Sequence, residues 1–499
     1  MKMNGIIEVV LDRNIIQVGT ERHLVPTTLI SGLHNKFRIR RQQYQSGGRW
    51  AKHVDPVDTF LMVEPRVNCG ILYTYFGLME EIVAWFNKKG YEVIITDYNP
   101  YPVHEKNLEI FNTEFRPGQE QCLRSISEHD HGIIRAATAF GKTEIIAKMV
   151  KLFWKAKFHV VSTGINVVRG IFNRIQTYTP DVGLYCDGVK DASKRITCMT
   201  TNSVGLAAFG DVDFLIVDEC HTAGGVKIFQ KLMEKYPDSR NFGFSATPFG
   251  RGDGSNMAIT ALFGPVIYDM GYQEAQKLGN VVPVKVQWLQ CRDYPRMSPY
   301  ATKVDTKRAC VWENGPRNRL AVEYVREHCD ENSRILILVE TVEHALVLKK
   351  ELPEFTVVTG QLTKDSLKRH ERRGLVDDFE PLSQDDRADI CRKFTEGEVR
   401  RVIGTDTMVQ GVDIPPLDTV ILMSGRSSEV KALQGAGRAV RVCEGKDHAT
   451  IVDIQDSYMC ETLFRTSMAR HKQYENNGWT QLDYESRGRI VSTSLLRPD

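Results

Sequence analysis

From Phe115 onward, short apolar runs alternate with longer amphipathic stretches, the pattern left by parallel strands joined by crossover helices. Two series separate. The first contains His159 to Thr163, Ile196 to Thr200, Phe214 to Val217 and Phe242 to Ser245; the second contains Ile335 to Val339, Thr356 to Thr359, Arg401 to Gly404, Thr419 to Met423 and Ala449 to Asp453. Two α/β domains in tandem are predicted. The stretch between them carries Pro283, Pro295, Pro299 and Pro316 and reads as an irregular hinge. Before Phe115 the pattern changes. Hairpin-like strands around Ile6 to Val18 and Thr59 to Val63, a helix near Leu78 to Lys88 and a strand Glu92 to Thr96 predict a small α+β domain. The expected boundaries are 1–107, 108–283, 284–456, and a tail 457–499 packing on the second α/β domain. No fixed-period repeat is visible, which excludes solenoids and propellers.

Composition narrows the class. The 499 residues are 42% hydrophobic and 26% charged, which excludes wholesale disorder. No run approaches the ~18 to 20 apolar residues of a membrane span, and the start MKMNGIIEVVLDRN meets charge too early for a signal peptide. A cytoplasmic protein with no membrane partner is the expectation. The 11 cysteines avoid the spacing of zinc or redox pairs, so free thiols are expected. A net charge of +2 gives no reason to expect a polyanion, but its distribution does. Arg22, Lys36, Arg38, Arg40, Arg41, Arg49 and Lys52 occur with no acidic residue among them, interleaved with Phe37, Tyr44 and Trp50. Such a mixture suits phosphate contacts with rings available for stacking. A solvated basic face beside core aromatics has the same composition.

The candidate chemistry begins at Ala136 to Glu144, AATAFGKTE, which follows an apolar run and precedes a helical pattern. This is the strand, loop, helix context of a phosphate-binding loop, although Ala136 stands where the general pattern has Gly. Backbone N–H groups across Thr138, Ala139, Phe140 and Gly141 would wrap phosphate, Lys142 would neutralise β/γ oxygens, and Thr143 would hold Mg²⁺ beside Glu144. Roughly 75 residues downstream, FLIVDECH (Phe214 to His221) reads as an apolar strand ending in two acids. Asp218 would bind Mg²⁺ and Glu219 would orient and deprotonate the attacking water, with His221 counted beside them. One capped strand end is commonplace. An acidic pair matched to a phosphate loop makes an ATPase site.

Together these residues resemble the superfamily 2 helicases of the DExH group, and further motifs follow in order. FRPGQ (Phe115 to Gln119) is similar to the adenine-reading motif, with Gln119 as the reader and Arg116 beside it. FSATP (Phe244 to Pro248) resembles the motif whose Ser245 and Thr247 hydroxyls couple hydrolysis to movement. GTDTMVQGVDIP (Gly404 to Pro415) and QGAGRAVR (Gln434 to Arg441) resemble motifs V and VI. The resemblance implies two RecA-like parallel-sheet domains. It also implies γ-phosphate contacts from Arg438 and Arg441, nucleotide sensing by Gln434, and ribose or motif contacts from Asp413. Nucleic-acid contacts would fall at Thr163, Gly164, Thr200, Thr201, Thr359, Gly360 and Thr405, each of which also reads as ordinary loop chemistry.

DECH, the strand ending in VDIQD, and GGRW followed by FLMVEP and GILYTYFG resemble the phage UvsW-type helicases of the XPB-like branch. That implies ATP and Mg²⁺ as cofactors, forked or four-way DNA as substrate, and an N-terminal DNA-binding domain using Arg38, Arg40, Arg41, Arg49, Trp50 and Lys52. Single-strand-binding or recombination proteins are possible partners on that resemblance. A second basic element, KDSLKRHERRG (Lys364 to Gly374), offers Lys368, Arg369, Arg372 and Arg373 to a DNA arm, or forms a solvated helix. An RNA helicase, a nucleic-acid clamp switched by ATP, and a restriction-type translocase stay open beside the DNA motor. For the last of these, the sequence offers no defensible nuclease cluster.

Overall fold

The computed structural model describes residues 4–44, 53–66, 69–137, 140–206, 211–249, 255–298, 300–359, 368, 370–375, 382–405, 417–425, 442, 446–457, 460–485 and 489–492. They form two compact units, Met1–Ala136 with Gly141–Met270, and Ala137–Phe140 with Gly271–Asp499.

The first unit opens with strands β1 (Gly5–Asp12) and β2 (Ile15–Val18), helix α1 (Thr27–Lys36), the ribbon β3 (Arg38–Tyr44) and β4 (His53–Phe60), strand β5 (Leu72–Tyr75), helix α2 (Met79–Lys88) and strand β6 (Tyr91–Asn99). Alternation along β1 buries Ile7 and Val9 on one face, and the sheet runs β5-β2-β1-β6. A seven-stranded parallel sheet follows, with β7 (Gly132–Ala136), β8 (Phe158–Ser162), β9 (Val182–Tyr185), β10 (Ile196–Thr200), β11 (Phe214–Asp218), β12 (Arg240–Ser245) and β13 (Val266–Met270), in the order β13-β7-β12-β11-β8-β10-β9. Its helices include α3 (Gln119–Glu128), α4 (Lys142–Leu152), α5 (Ile165–Gln176), α6 (Val226–Lys235) and α7 (Ser255–Phe263). β11 is buried along its whole length, as a central parallel strand covered on both faces should be.

The N-terminal sheet shares its core with this α/β sheet. Ile7, Val9, Ile16, Leu72 and Phe86 lie in one buried cluster with Leu215, Val217, Phe229, Ile259 and Phe263. At Gly77 the backbones meet so closely that a Cβ would lie 1.8 Å from the Thr260 carbonyl oxygen, and glycine is required. A buried polar network adds direction. Asn14 Nδ2 donates to the Tyr236 carbonyl (2.7 Å), and the Tyr101 hydroxyl donates to Asn14 Oδ1 (3.0 Å) while lying 2.8 Å from His131 Nε2. The Asn241 amide donates to His131 Nδ1 (3.1 Å), so the imidazole is neutral with its proton on Nε2, facing Tyr101. Burial, with Arg240 nearby, lowers the His131 pKa to about 3 and keeps it so.

The second unit carries an eight-stranded sheet among the described residues: β14 (Val284–Cys291), β15 (Ile335–Leu338), β16 (Thr356–Val358), β17 (Arg401–Gly404), β18 (Thr419–Leu422), β19 (Ala449–Asp456), β20 (Thr480–Glu485) and β21 (Arg489–Ser492), in the order β16-β17-β15-β18-β19-β14-β20-β21. Every pair is parallel except β20 with β21. The stretch read as an irregular hinge therefore begins with a strand. Pro283 stops just before it, and the alternation VKVQWLQC buries Val284, Val286 and Trp288. The helix Glu461–Asn476 is tied to β19 by a buried ion pair, with Arg470 Nε 2.7 Å from Asp453 Oδ2 and the Tyr474 hydroxyl donating to the same carboxylate oxygen (2.8 Å).

Candidate nucleotide-binding site

β7 ends at Ala136, and α4 starts at Lys142 after Gly141, whose φ of +91° belongs to the left-handed region that glycine enters without penalty. No side chain among the described residues caps α4, and apart from the Glu144 amide, which donates to the Gly141 carbonyl (2.9 Å), the backbone donors of its first turn are left to an external acceptor. Gly141 also lies against Gln119. A Cβ there would come 2.6 Å from Gln119 Nε2. The buried Gln119 accepts from the Arg116 amide through Oε1 (3.1 Å), so the FRPGQ segment and the glycine before Lys142 form one cradle.

β12 lies between β7 and β11, which sets the ends of all three strands side by side at the carboxyl edge of the sheet. Lys142 Nζ lies 3.6 Å from Glu219 Oε1. Glu219 occupies the left-handed region with φ of +53°, costly for a residue with a side chain. Its carbonyl accepts from both the Thr222 amide (3.0 Å) and the Thr222 hydroxyl (2.9 Å), which holds that conformation. Glu219 Oε2 lies 3.3 Å from His221 Nδ1, which lies 3.1 Å from Ser245 Oγ; Ser245 Oγ accepts from the Thr247 amide (3.1 Å). A polar chain thus runs from Lys142 through Glu219 and His221 to the FSATP segment.

Burial opposes ionisation of both acids, and their neighbours divide them. Glu219, beside Lys142 and His221, is held down to about 2 despite that burial, and so stays charged. Asp218 is pushed up to about 7 by burial and by the charge of Glu219, against the pull of Lys142. Asp218 Oδ1 is buried with no hydrogen-bond partner among the described residues. Such an oxygen suits a cation. Magnesium binds through one or two carboxylates with phosphates and water supplying the rest, and one buried carboxylate within electrostatic reach of Lys142, the residue before Thr143 in α4, fits that ligand set. The uncapped helix, the glycine approach and the orphaned oxygen together fit a nucleoside triphosphate with a divalent cation.

Other expected residues are placed as follows. Glu144 is ion-paired with Arg174 and accepts from the Tyr178 hydroxyl, which ties α4 to α5. Thr163 is exposed after β8 with Gly164 half-buried beside it; Thr200 and Thr201 are buried at the end of β10, as are Thr359 and Thr405 after β16 and β17. Arg373 pairs with Glu313 and Glu343, while Lys368 and Arg372 are exposed. Arg38 begins β3, facing Phe60 across the ribbon. Arg40 and Arg41 belong to β3, their side chains outside the described ones. Thr138, Ala139, Arg49, Trp50, Lys52, Gly360, Arg369, Asp413, Gln434, Arg438 and Arg441 lie outside the described residues.

One supporting residue escaped sequence reasoning. Lys148 is buried on α4, donates to Thr113 Oγ1 (2.7 Å) and the Glu114 carbonyl (2.6 Å), and sits 3.7 Å from the Phe115 ring centroid. It fastens the FRPGQ segment to the helix that follows Gly141. Its signal was a lysine inside the apolar run Ile145 to Val150.

Two family models match the chain in order: "Type III restriction enzyme, res subunit" over residues 112–250 and "Helicase conserved C-terminal domain" over residues 318–443. The DNA 3'-5' translocase XPB2 of Sulfurisphaera tokodaii is 25% identical over 407 residues, 72% of this chain and 85% of that protein. Among solved structures, S. cerevisiae Dbp5 bound to RNA and ADP BeF3 aligns with a TM-score of 0.51 and 14% identity, over 74% of this chain and 90% of that one. T4 UvsW aligns over 96% of this chain and 98% of its own at 15% identity, with a TM-score of 0.41. No helix of the described residues is long and apolar enough to cross a membrane.

Proposed function

The chain belongs to the superfamily 2 helicases, enzymes that hydrolyse ATP, and from that premise we propose that it is a DNA translocase working on branched DNA. The observation that carries the reading is the junction of Lys142 and Glu219, 3.6 Å apart, beside the orphaned carboxylate oxygen of Asp218. Lys142 neutralises β/γ-phosphate oxygens, while Thr143 and Asp218 would hold Mg²⁺. When bound there, such a cation would supply further neutralisation of phosphate charge. Gln119 reads adenine, with the Arg116 backbone bracing its side chain. Glu219, charged at neutral pH, orients the attacking water and accepts its proton at a carboxylate oxygen. His221 and Ser245 hold that carboxylate and link its state to Thr247. Arg438, Arg441 and Gln434, within the second matched model, are the candidates for γ-phosphate contacts.

The DNA preference is supported by the XPB2 relative, a DNA translocase by name, and by the basic, aromatic-bearing segment Arg22 to Lys52. Fork reversal or branch migration, a phage origin and service in recombination and repair are carried over from the resemblance of the sequence motifs to the phage UvsW-type helicases. RNA is the second reading, favoured by the fold likeness to an RNA-bound helicase. Labelled forks and four-way junctions test the proposal. Wild type with ATP should resolve them into linear products at least tenfold faster than Lys142→Ala, with both proteins binding the junctions equally. Junctions left intact by wild type, or RNA duplexes resolved in preference, would overturn it.

A further inference from the structure

The connection from β14 to the short helix Lys303–Lys307 is used by none of the chemistry above, and its side chains divide sharply. Tyr294 and Met297 turn inward, onto a buried cluster of Cys310, Val311, Trp312, Cys460 and Leu463. Arg292 and Arg296 are exposed, and Tyr300 is 94% exposed. Nearby cations behave differently. Lys307 is paired with Glu340, and Arg308 with Glu343, whereas neither Arg292 nor Arg296 has an ion-pair partner among the described residues.

The exposed tyrosine stands on a fixed support. The Tyr294 hydroxyl donates to Asp456 Oδ1 (2.6 Å), Asn314 Nδ2 donates to the Asp293 carbonyl (2.9 Å), and Thr302 and Asp305 form a capping box at the far end. A turn closed by the Tyr300 amide on Ser298 Oγ (3.2 Å) and the Ala301 amide on the Ser298 carbonyl (3.0 Å) holds the tyrosine backbone. Stacking on this ring therefore costs the side-chain rotamers of Tyr300 but little backbone freedom.

Strand direction fixes which end of the sheet this is. β14, β19, β18, β15, β17 and β16 all run parallel, so Arg292 follows β14 at the same carboxyl edge where Thr359 and Thr405 follow β16 and β17. Four strand spacings separate β17 from β14, ~19 Å at ~4.8 Å each. That is the rise of roughly six stacked nucleotides at ~3.4 Å.

We propose that Tyr300, Arg292 and Arg296 form a nucleic-acid contact of the second unit, with Tyr300 stacking on an unpaired base and the two arginines on flanking phosphates. The ligand is single-stranded DNA, and the inference rests on the translocase reading above. An aromatic face stacks on any base, so the contact is independent of sequence. The guanidinium groups release counterions when they meet phosphate, so binding through them weakens with salt.

The test uses the full chain and a single-stranded oligonucleotide carrying 2-aminopurine, titrated over a salt series. Tyr300→Ala should weaken binding about tenfold and remove the stacking quench, and Tyr300→Phe should restore both. Arg292→Ala with Arg296→Ala should make the slope of log affinity against log salt shallower by about 1.4, two phosphates at ~0.7 each. ATPase without DNA should match wild type in every variant. If wild type binds and is stimulated by DNA while Tyr300→Ala and the double variant keep wild-type affinity, quench and slope, the contact is disproved and the translocase reading survives. A wild type that neither binds DNA nor responds to it sinks both.

Discussion

At the scale of single residues, what distinguishes this chain is polar groups kept buried and matched to one protonation state. Lys142 and Glu219 are the instance at the candidate site, a charged pair in which each partner holds the other ionised. His131 and His344 are the structural instance, both neutral, with pKa values lowered to about 3 by burial and then by Arg240 and Arg317 respectively. The sign for stability follows. Unfolded, each imidazole takes a proton near 6.5; folded, it resists until about 3, so the unfolded chain binds more protons in that window. Stability should be level above about pH 6.5 and fall below it by up to about 1.4 kcal/mol per pH unit for each histidine. Asp218, raised to about 7, acts with the opposite sign in the same window, so urea midpoints from pH 7.5 to 5.0 in an Asp218→Asn background check this, and a flat profile there would mean that the imidazoles are not held neutral. The candidate site was legible where a local pattern marks it, as in Gly141-Lys142-Thr143 and Asp218-Glu219, which the structure brings together through Lys142 and Glu219. Lys148 was not, because the groups it holds, Thr113 and Glu114, are more than thirty positions away in sequence.

At the scale of elements, the parallel strands of both sheets declared themselves as short apolar runs, since a strand covered on both faces has no polar side to show. β14 was obscured by Pro283 and by its alternating polar positions, which mark a strand less buried than β11. The tail element carries the strongest stability expectation. Arg470 and Asp453 are both almost fully buried, and the Asp453 carboxylate is bound by Arg470 and Tyr474 together. Arg470→Ala would leave that carboxylate buried without its cation, and should destabilise the second unit by about 3–5 kcal/mol. Replacing both residues with apolar ones should recover much of the loss, because no charge is then stranded. Equal losses in the single and double variants, measured by chemical unfolding, would show that the ion pair is not what fastens the helix Glu461–Asn476 to β19.

At the scale of the whole molecule, the sequence distinguished three α/β or α+β segments but not how the first two join. Asn14, Tyr101, His131 and Asn241 carry that junction from four distant places, and no local pattern predicts their meeting. Because the N-terminal sheet and the first α/β sheet share one core, they should unfold together. Asn14→Ala should lower the temperature of the transition that ATP raises, whereas a separate early transition for the N-terminal sheet would contradict the shared core. The central claim, a motor driven by ATP on DNA, is tested most directly by one steady-state measurement at fixed salt: ATPase rate against concentration of forked DNA and of RNA, for wild type and Glu219→Gln. The account predicts a wild-type rate raised at least tenfold by DNA and less by RNA, with Glu219→Gln slower by about a hundredfold or more while still binding ATP. A wild-type rate indifferent to nucleic acid, or one unaffected by loss of the Glu219 carboxylate, would contradict it.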